Sequence, residues 1–186
     1  METVSFTRMD QGTAEDYALV MRIAEEHKQE HLADQVLGML RLMAGPMLGY
    51  RIDRYQHSLQ SATRAMRDGA EEEMIVAALL HDVGDVVAPD NHSALAAAVL
   101  RPYVSEATHW IVLHHGIFQG YYFFHHIGQD REARERYRGH PQFEACADFC
   151  ERWDQTSFDP DYDSAPLETF EPMVRRLFAR EPSYGP

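Results

Sequence analysis

Residues 78–87 read ALLHDVGDVV: an apolar run that ends in His81 and Asp82 side by side, followed by Gly84 and a second acid, Asp85. An unpaired charge at the end of a buried hydrophobic segment costs several kcal/mol, on the order of the usual burial penalty. A metal ion removes that cost. Adjacent residues on a helix point about 100° apart, so this dipeptide cannot hold one metal from a single face as His at i and i+4 would. It can bridge two metals, or bind one while its neighbour turns along the helix axis. The remaining ligands must come from elsewhere in the chain.

The segments around it share helical period. Tyr17, Val20, Met21, Ile23, Ala24, Leu32, Val36, Leu37, Leu40 and Met43 form an i, i+3, i+4 stripe across residues 13–44, which Gly45 and Pro46 end. Helices are expected over 54–68 and 71–81, separated by the Asp68-Gly69 stop. Asp90 or Asn91 should cap a helix through Leu100 that Pro102 breaks. Ser105-Glu106 opens another, expected to end at His115-Gly116. YYFFHHIGQD reads as irregular, EARERYRG as a short polar helix, and PQFEACADFCERW and PLETFEPMVRRLFA as the last two helices. No alternating β-branched stretch reads as a strand. The pattern predicts an all-α bundle. With 186 residues, 45% of them hydrophobic, and no repeat, it also predicts one domain over 1–186, with leading helices over 1–46 and a metal-binding core over 47–178.

Thirty acidic against seventeen basic residues give a net charge of −13, with no Lys/Arg stripe, which argues against nucleic acid as a partner. The opening METVSFTRMDQG has no positively charged leader before an apolar core, and no window approaches 18 unbroken apolar residues. The expectation is a cytoplasmic protein without a membrane partner. Cys146 and Cys150, four apart on an expected helix, read as buried thiols and not as a disulfide framework.

Eleven histidines need sorting. His27 and His31 have metal-ligand spacing, but Glu25, Glu26, Lys28 and Glu30 surround them, so they read as a solvated face. His109, His125, His126 and His140 have no evident partner and read as structural. His57 lies on a helix whose inner face continues through Leu59, Gln60 and Ala65. His92 opens the apolar HSALAAAVL, His115 closes WIVLHH, with His114 as its competing neighbour, and Asp154 ends an apolar helix. With His81 and Asp82 these make six metal-type ligands, suited to iron, manganese or zinc.

HSLQSA, AALLHDVG, HSALAAAVL, WIVLHH and RWDQ, in this order, resemble the metal signature of the HD-domain superfamily in its two-metal version. The similarity is greatest to the small mixed-valent diiron oxygenases related to phosphonate-cleaving enzymes and, more distantly, to myo-inositol oxygenase. The resemblance implies a compact helical bundle. It also implies two irons, Fe(II)/Fe(III): His57, His81 and Asp154 on one, His92 and His115 on the other, and Asp82 bridging, with O2 and a small molecule as reaction partners. It carries a runner-up from the same superfamily, a phosphohydrolase using manganese or another divalent metal on a nucleotide or small phosphate ester. A third reading, a metal-binding domain without activity, fits poorly with six intact ligands.

Three departures bear on the substrate. The phosphonate enzymes carry basic groups where this chain has Asp85, Gln119 and Glu151, so these residues are expected to favour a neutral or cationic hydroxylated substrate. Tyr121, among the aromatic residues after His115, is a further expected contact. Those enzymes close the open iron with a tyrosine ten residues before the first histidine. Here that position is Met47, and Tyr50 is the residue expected to act as the gate.

Overall fold

The computed structural model describes residues 2–183, and Met1 and residues 184–186 of the expected domain lie outside it. Seven α-helices carry the fold, with no strand among the described residues, as the helical periodicity predicts. Helix α1 (Ala14–Arg41) starts in a capping box: Thr13 Oγ1 accepts from the Asp16 amide at 3.2 Å, and the Asp16 carboxylate accepts from the Thr13 amide at 3.1 Å. Only the second half of its apolar stripe is buried, through Val36, Leu37 and Leu40. Val20, Met21 and Ile23 are exposed, contrary to a continuous inner face.

Helix α2 (Arg54–Arg67) is capped by Asp53, whose carboxylate accepts from the Gln56 amide at 2.8 Å. It stops at Asp68, and Gly69 follows with a φ of 75° that favours glycine. Helix α3 (Glu72–Leu80) is buried all round from Ile75 to Leu80 and packs against α2 on one side and α7 on another. Such a helix can end inside the protein only if its terminal groups find partners there.

Helix α4 (His92–Leu100) follows a 3-10 turn at Pro89–Asn91, and Asn91 makes no side-chain cap, which differs from the expected capped start. Helix α5 (Glu106–Phe123) runs two turns beyond the expected stop at Gly116. That glycine is a point of close approach: a Cβ there would lie 2.9 Å from Ser93 Oγ, so its absence lets α4 pack against α5. Tyr121 to Phe123 therefore complete a helix, and 3-10 turns follow at Phe124–Ile127 and Ala133–Tyr137 in place of the expected irregular and α-helical stretches. Helix α6 (Phe143–Phe149) passes into a π turn at Cys150–Asp154, and α7 (Leu167–Phe178) closes the bundle against α1 and α3. Among the described residues, Leu37, Leu40, Leu79, Leu80, Leu100, Phe118, Phe149, Phe170 and Leu177 are the largest fully buried apolar side chains. No helix among the described residues is long and apolar enough to cross a membrane.

Candidate metal centre

The end of α3 explains how adjacent residues reach one point. His81 keeps helical dihedrals (φ −58°, ψ −27°), whereas Asp82 leaves them (φ −106°, ψ 5°), and the chain turns into a 3-10 segment at Val83–Val86. The helical offset between the two side chains is broken at the step between them, so both turn inward, buried. Helix α2 delivers His57, α4 delivers His92 from its first residue, α5 delivers His115, and the π turn delivers Asp154. The extra residue that a π turn inserts re-aims side chains, and such turns occur often at functional sites.

The six expected ligands converge. His57 Nε2 lies 3.2 Å from His81 Nε2, and these nitrogens lie 3.3 and 3.7 Å from Asp154 Oδ1. Asp82 Oδ2 is 3.4 and 3.5 Å from the same two nitrogens. The other oxygen of Asp82 faces a different pair: Oδ1 is 3.2 Å from His115 Nε2 and 3.5 Å from His92 Nε2. One carboxylate thus presents one oxygen to each of two ligand groups.

The tautomers follow from the opposite ring nitrogens. The Nδ1 atoms of His57, His81, His115 and His92 face the carbonyl oxygens of Ser157, Ala78, Val112 and Pro89 at 2.9, 2.8, 2.7 and 3.1 Å. A carbonyl only accepts, so each Nδ1 carries hydrogen and each Nε2 turns a lone pair toward the cluster. Four lone pairs and two carboxylates packed together repel one another unless cations sit among them. Asp154 Oδ2 is also buried without a hydrogen-bond partner. Atoms about 2.0–2.2 Å from a metal, at roughly right angles around it, lie about 3 Å apart, so spacings of 3.2–3.7 Å fit two transition-metal ions. Without metal, protons take part of that role. Burial opposes the charge on His81, but Asp82 and Asp154 outweigh it and raise the imidazole to about 9. Burial likewise works to raise the Asp82 and Asp154 carboxyls, and the imidazoles around both, with Arg54 beside Asp82, hold them well below the usual carboxylate range.

A cavity of about 340 Å³ opens beside the cluster, lined by Asp82, His92, His115 and Asp154 but not by His57 or His81. Tyr50, Tyr122, Phe123 and Phe158 give it aromatic walls, and Arg54 and Gln119 add polar groups. Gln119 Nε2 donates to Asp154 Oδ1 at 2.9 Å. Tyr50 stacks on Phe158 at a 5.0 Å centroid distance, and Phe158 stacks on His57 at 4.4 Å.

Three expected substrate contacts do not line this cavity. Asp85 accepts from Arg54 Nε at 2.6 Å and lies 3.2 Å from His92 Nδ1, so its charge is already matched. Glu151 is exposed on the π turn. Tyr121 is covered by the guanidinium groups of Arg131 and Arg134, 4.2 and 3.7 Å from its ring centre. The repulsion of anions expected from Asp85 and Glu151 therefore has no basis at the cavity wall. Arg54 and Phe158 escaped the sequence reading. Arg54 carried a usable signal, since it precedes His57 by three residues and so shares its helix face; Phe158 sits in an irregular segment with no periodicity to read. His114 stays outside the cluster, its Nδ1 2.8 Å from Trp110 O and its ring stacked on Trp110. His27 and His31 pair with each other at 4.5 Å on the outer part of α1. Cys146 and Cys150 are buried free thiols.

The HD domain family model matches residues 54–157, more than half the chain and the span that carries all six of these side chains. The chain belongs to the HD domain family, whose members are typically metal-dependent enzymes and often phosphohydrolases. Nothing among the curated proteins matches it.

Proposed function

We propose that this chain is a dinuclear iron oxygenase that uses O2 to oxidise or cleave a small hydroxylated substrate, neutral or cationic. The observation that carries the reading is the division of the Asp82 carboxylate between two ligand groups. His57, His81 and Asp154 meet one oxygen of Asp82, and His115 and His92 meet the other. Four imidazoles with two carboxylates suit iron better than magnesium, which prefers all-oxygen surroundings. When bound, the metals supply one-electron redox chemistry toward O2 and a Lewis-acid seat for a substrate oxygen.

The side chains do the rest. Gln119 holds Asp154 in place, and Phe158 covers His57 and separates it from the cavity mouth where Tyr50 lies. The aromatic walls seat the end of the substrate remote from its hydroxyl, and they exclude water from the reacting end. The same walls accept a neutral or ammonium-bearing group by apolar or cation–π contact.

One observation favours the runner-up, a metal-dependent phosphohydrolase. Arg54 brings a guanidinium to the cavity wall, and guanidinium pairs well with phosphate. Its attachment to Asp85 and its position 3.4 Å from Asp82 Oδ2 leave that charge largely matched, and for this reason the oxygenase reading stands first. The deciding experiment loads the chain anaerobically with iron, counts the metal, records EPR after partial oxidation, and assays O2 uptake with hydroxylated amines and polyols. The oxygenase reading expects two irons, a coupled Fe(II)/Fe(III) signal and O2 uptake tied to substrate loss. Phosphate release from nucleotides with manganese, without O2 uptake, would overturn it in favour of the hydrolase.

A further inference from the structure

The two ligand groups are unequal. His57, His81 and Asp154 are almost wholly buried, and with one oxygen of Asp82 they form an enclosed set. The second set has only His115, His92 and the other oxygen of Asp82. His92 is the one ligand with substantial exposure, its side chain 23% accessible against 2% or less for the other three histidines. It is also the first residue of its helix, where the backbone is least constrained by its own hydrogen bonds.

Something else must hold that ring. Asp85 Oδ1 lies 3.2 Å from His92 Nδ1, beside the Pro89 carbonyl at 3.1 Å. The other oxygen of Asp85 accepts from Arg54 Nε at 2.6 Å, and Arg54 Nη2 lies 3.4 Å from Asp82 Oδ2. Asp85 and Arg54 therefore connect the exposed histidine of the second set to the carboxylate that both sets share. The chain path allows this because Gly84 has no Cβ: one built there would fall 2.3 Å from His92 O, so only glycine lets the turn at Val83–Val86 press against the start of α4.

We infer that Asp85, held by Arg54, is a positioning residue that sets the affinity of the second metal position, and that the two positions fill in order, the enclosed one first. The inference rests on the dinuclear reading above. The Pro89 carbonyl accepts from His92 Nδ1, and Asp85 beside it places a negative charge behind the ring, which makes Nε2, facing Asp82 Oδ1, a better donor. A carboxylate behind a ligating imidazole has this effect in general, and losing it weakens metal binding about 10–100-fold. Arg54 keeps Asp85 from turning to solvent and limits the charge that would otherwise collect beside Asp82.

The test is an anaerobic Mn(II) titration of the full chain, with bound metal counted after desalting and exchange-coupled Mn(II) pairs followed by EPR. Wild type should bind two ions in two separable steps and develop the coupled signal only in the second. Asp85→Ala should keep the first step unchanged and weaken the second about 10–100-fold, losing the coupled signal at two equivalents. Asp85→Asn keeps the size of the side chain beside Nδ1 but removes its charge and the ion pair with Arg54, and should fall between the two; it also carries the comparison should Asp85→Ala fail to fold. An unchanged second step in the Asp85 variants overturns the inference, as does an equal loss at both steps, which would mark a merely structural role. Wild type binding a single ion would instead defeat the dinuclear reading itself.

Discussion

Removing metal and raising the pH should expose the charge balance at His81. Its Nε2 lies 3.5 Å from Asp82 Oδ2, 3.7 Å from Asp154 Oδ1 and 3.2 Å from His57 Nε2. Burial resists protonation, but the two carboxylates prevail and the imidazole titrates at about 9 against an ordinary 6.5. A group raised on folding contributes its stability fully below the unfolded value and loses it as pH rises through the folded one. The shift, 9 minus 6.5, at about 1.4 kcal/mol per unit, amounts to about 3–4 kcal/mol, of which about 3 kcal/mol is lost between those two pH values because the group is half-titrated at each end. At about 2–4 °C per kcal/mol for a chain of this size, the metal-free protein should lose about 6–12 °C of Tm between pH 6.5 and 9. Metal reverses the dependence, because a ligating nitrogen must give up its proton: apparent metal affinity should rise about tenfold per pH unit over that range. Calorimetry on chelator-treated protein, with metal competition against a dye at each pH, measures both. A metal-free Tm that stays level from pH 6.5 to 9, with pH-independent metal affinity, would refute the assignment of a proton shared within this cluster.

Three further outcomes are expected. Gly84→Ala places a Cβ 2.3 Å from His92 O and 2.6 Å from His92 Cα, backbone atoms that cannot rotate away, and should cost about 1–3 kcal/mol in thermal or urea unfolding. Phe158→Ala removes ring contacts to His57 at 4.4 Å and Tyr50 at 5.0 Å; a loss of about 1–3 kcal/mol and faster metal release into a chelator are expected, and release at the wild-type rate would mean that the ring does not cover the cluster. His27→Ala combined with His31→Ala should leave metal content as in wild type and stability within about 0.5 kcal/mol, since both rings lie on the outer part of α1, away from the cluster. Metal analysis of that double variant is the check.

The helical elements and the convergence of six side chains were legible because both depend on local order: period fixes which face of α2 carries His57, and a helix end at Leu80 fixes where His81 and Asp82 emerge. What escaped the sequence depended on placement between distant segments. Gly116 looks like a helix stop from its type alone, and only the approach of Ser93 shows it as a contact inside α5. The apolar residues of α1 share one period, but the bundle half-covers Leu32 and fully buries only those from Val36 onward, and no local signal marks where that cover begins. The π turn at Cys150–Asp154 has no composition of its own, yet it decides that Asp154 faces inward while Glu151, three residues earlier, stays outside.

Asp85 shows most clearly why the sign of a residue does not reveal its role. Read along the chain it is an acid where the phosphonate enzymes that the sequence resembles carry a base, which suggests a pocket that repels anions. In space it lies between Arg54 and His92, and the guanidinium, bonded to it at 2.6 Å, matches its charge, so that little of its field reaches the cavity. At an effective dielectric of about 20, a guanidinium about 4 Å away offsets roughly 4 kcal/mol of the repulsion a lone carboxylate would exert. Arg54 lies 31 residues before Asp85, on the face of α2 that also bears His57, so the matching cation was within reach of the sequence once α2 was placed against the turn after α3. Under the proposed function, selectivity then falls to the aromatic lining, Tyr50, Tyr122, Phe123 and Phe158, which would sort substrates by shape and apolar surface, while the acid at position 85 would act on His92 from behind.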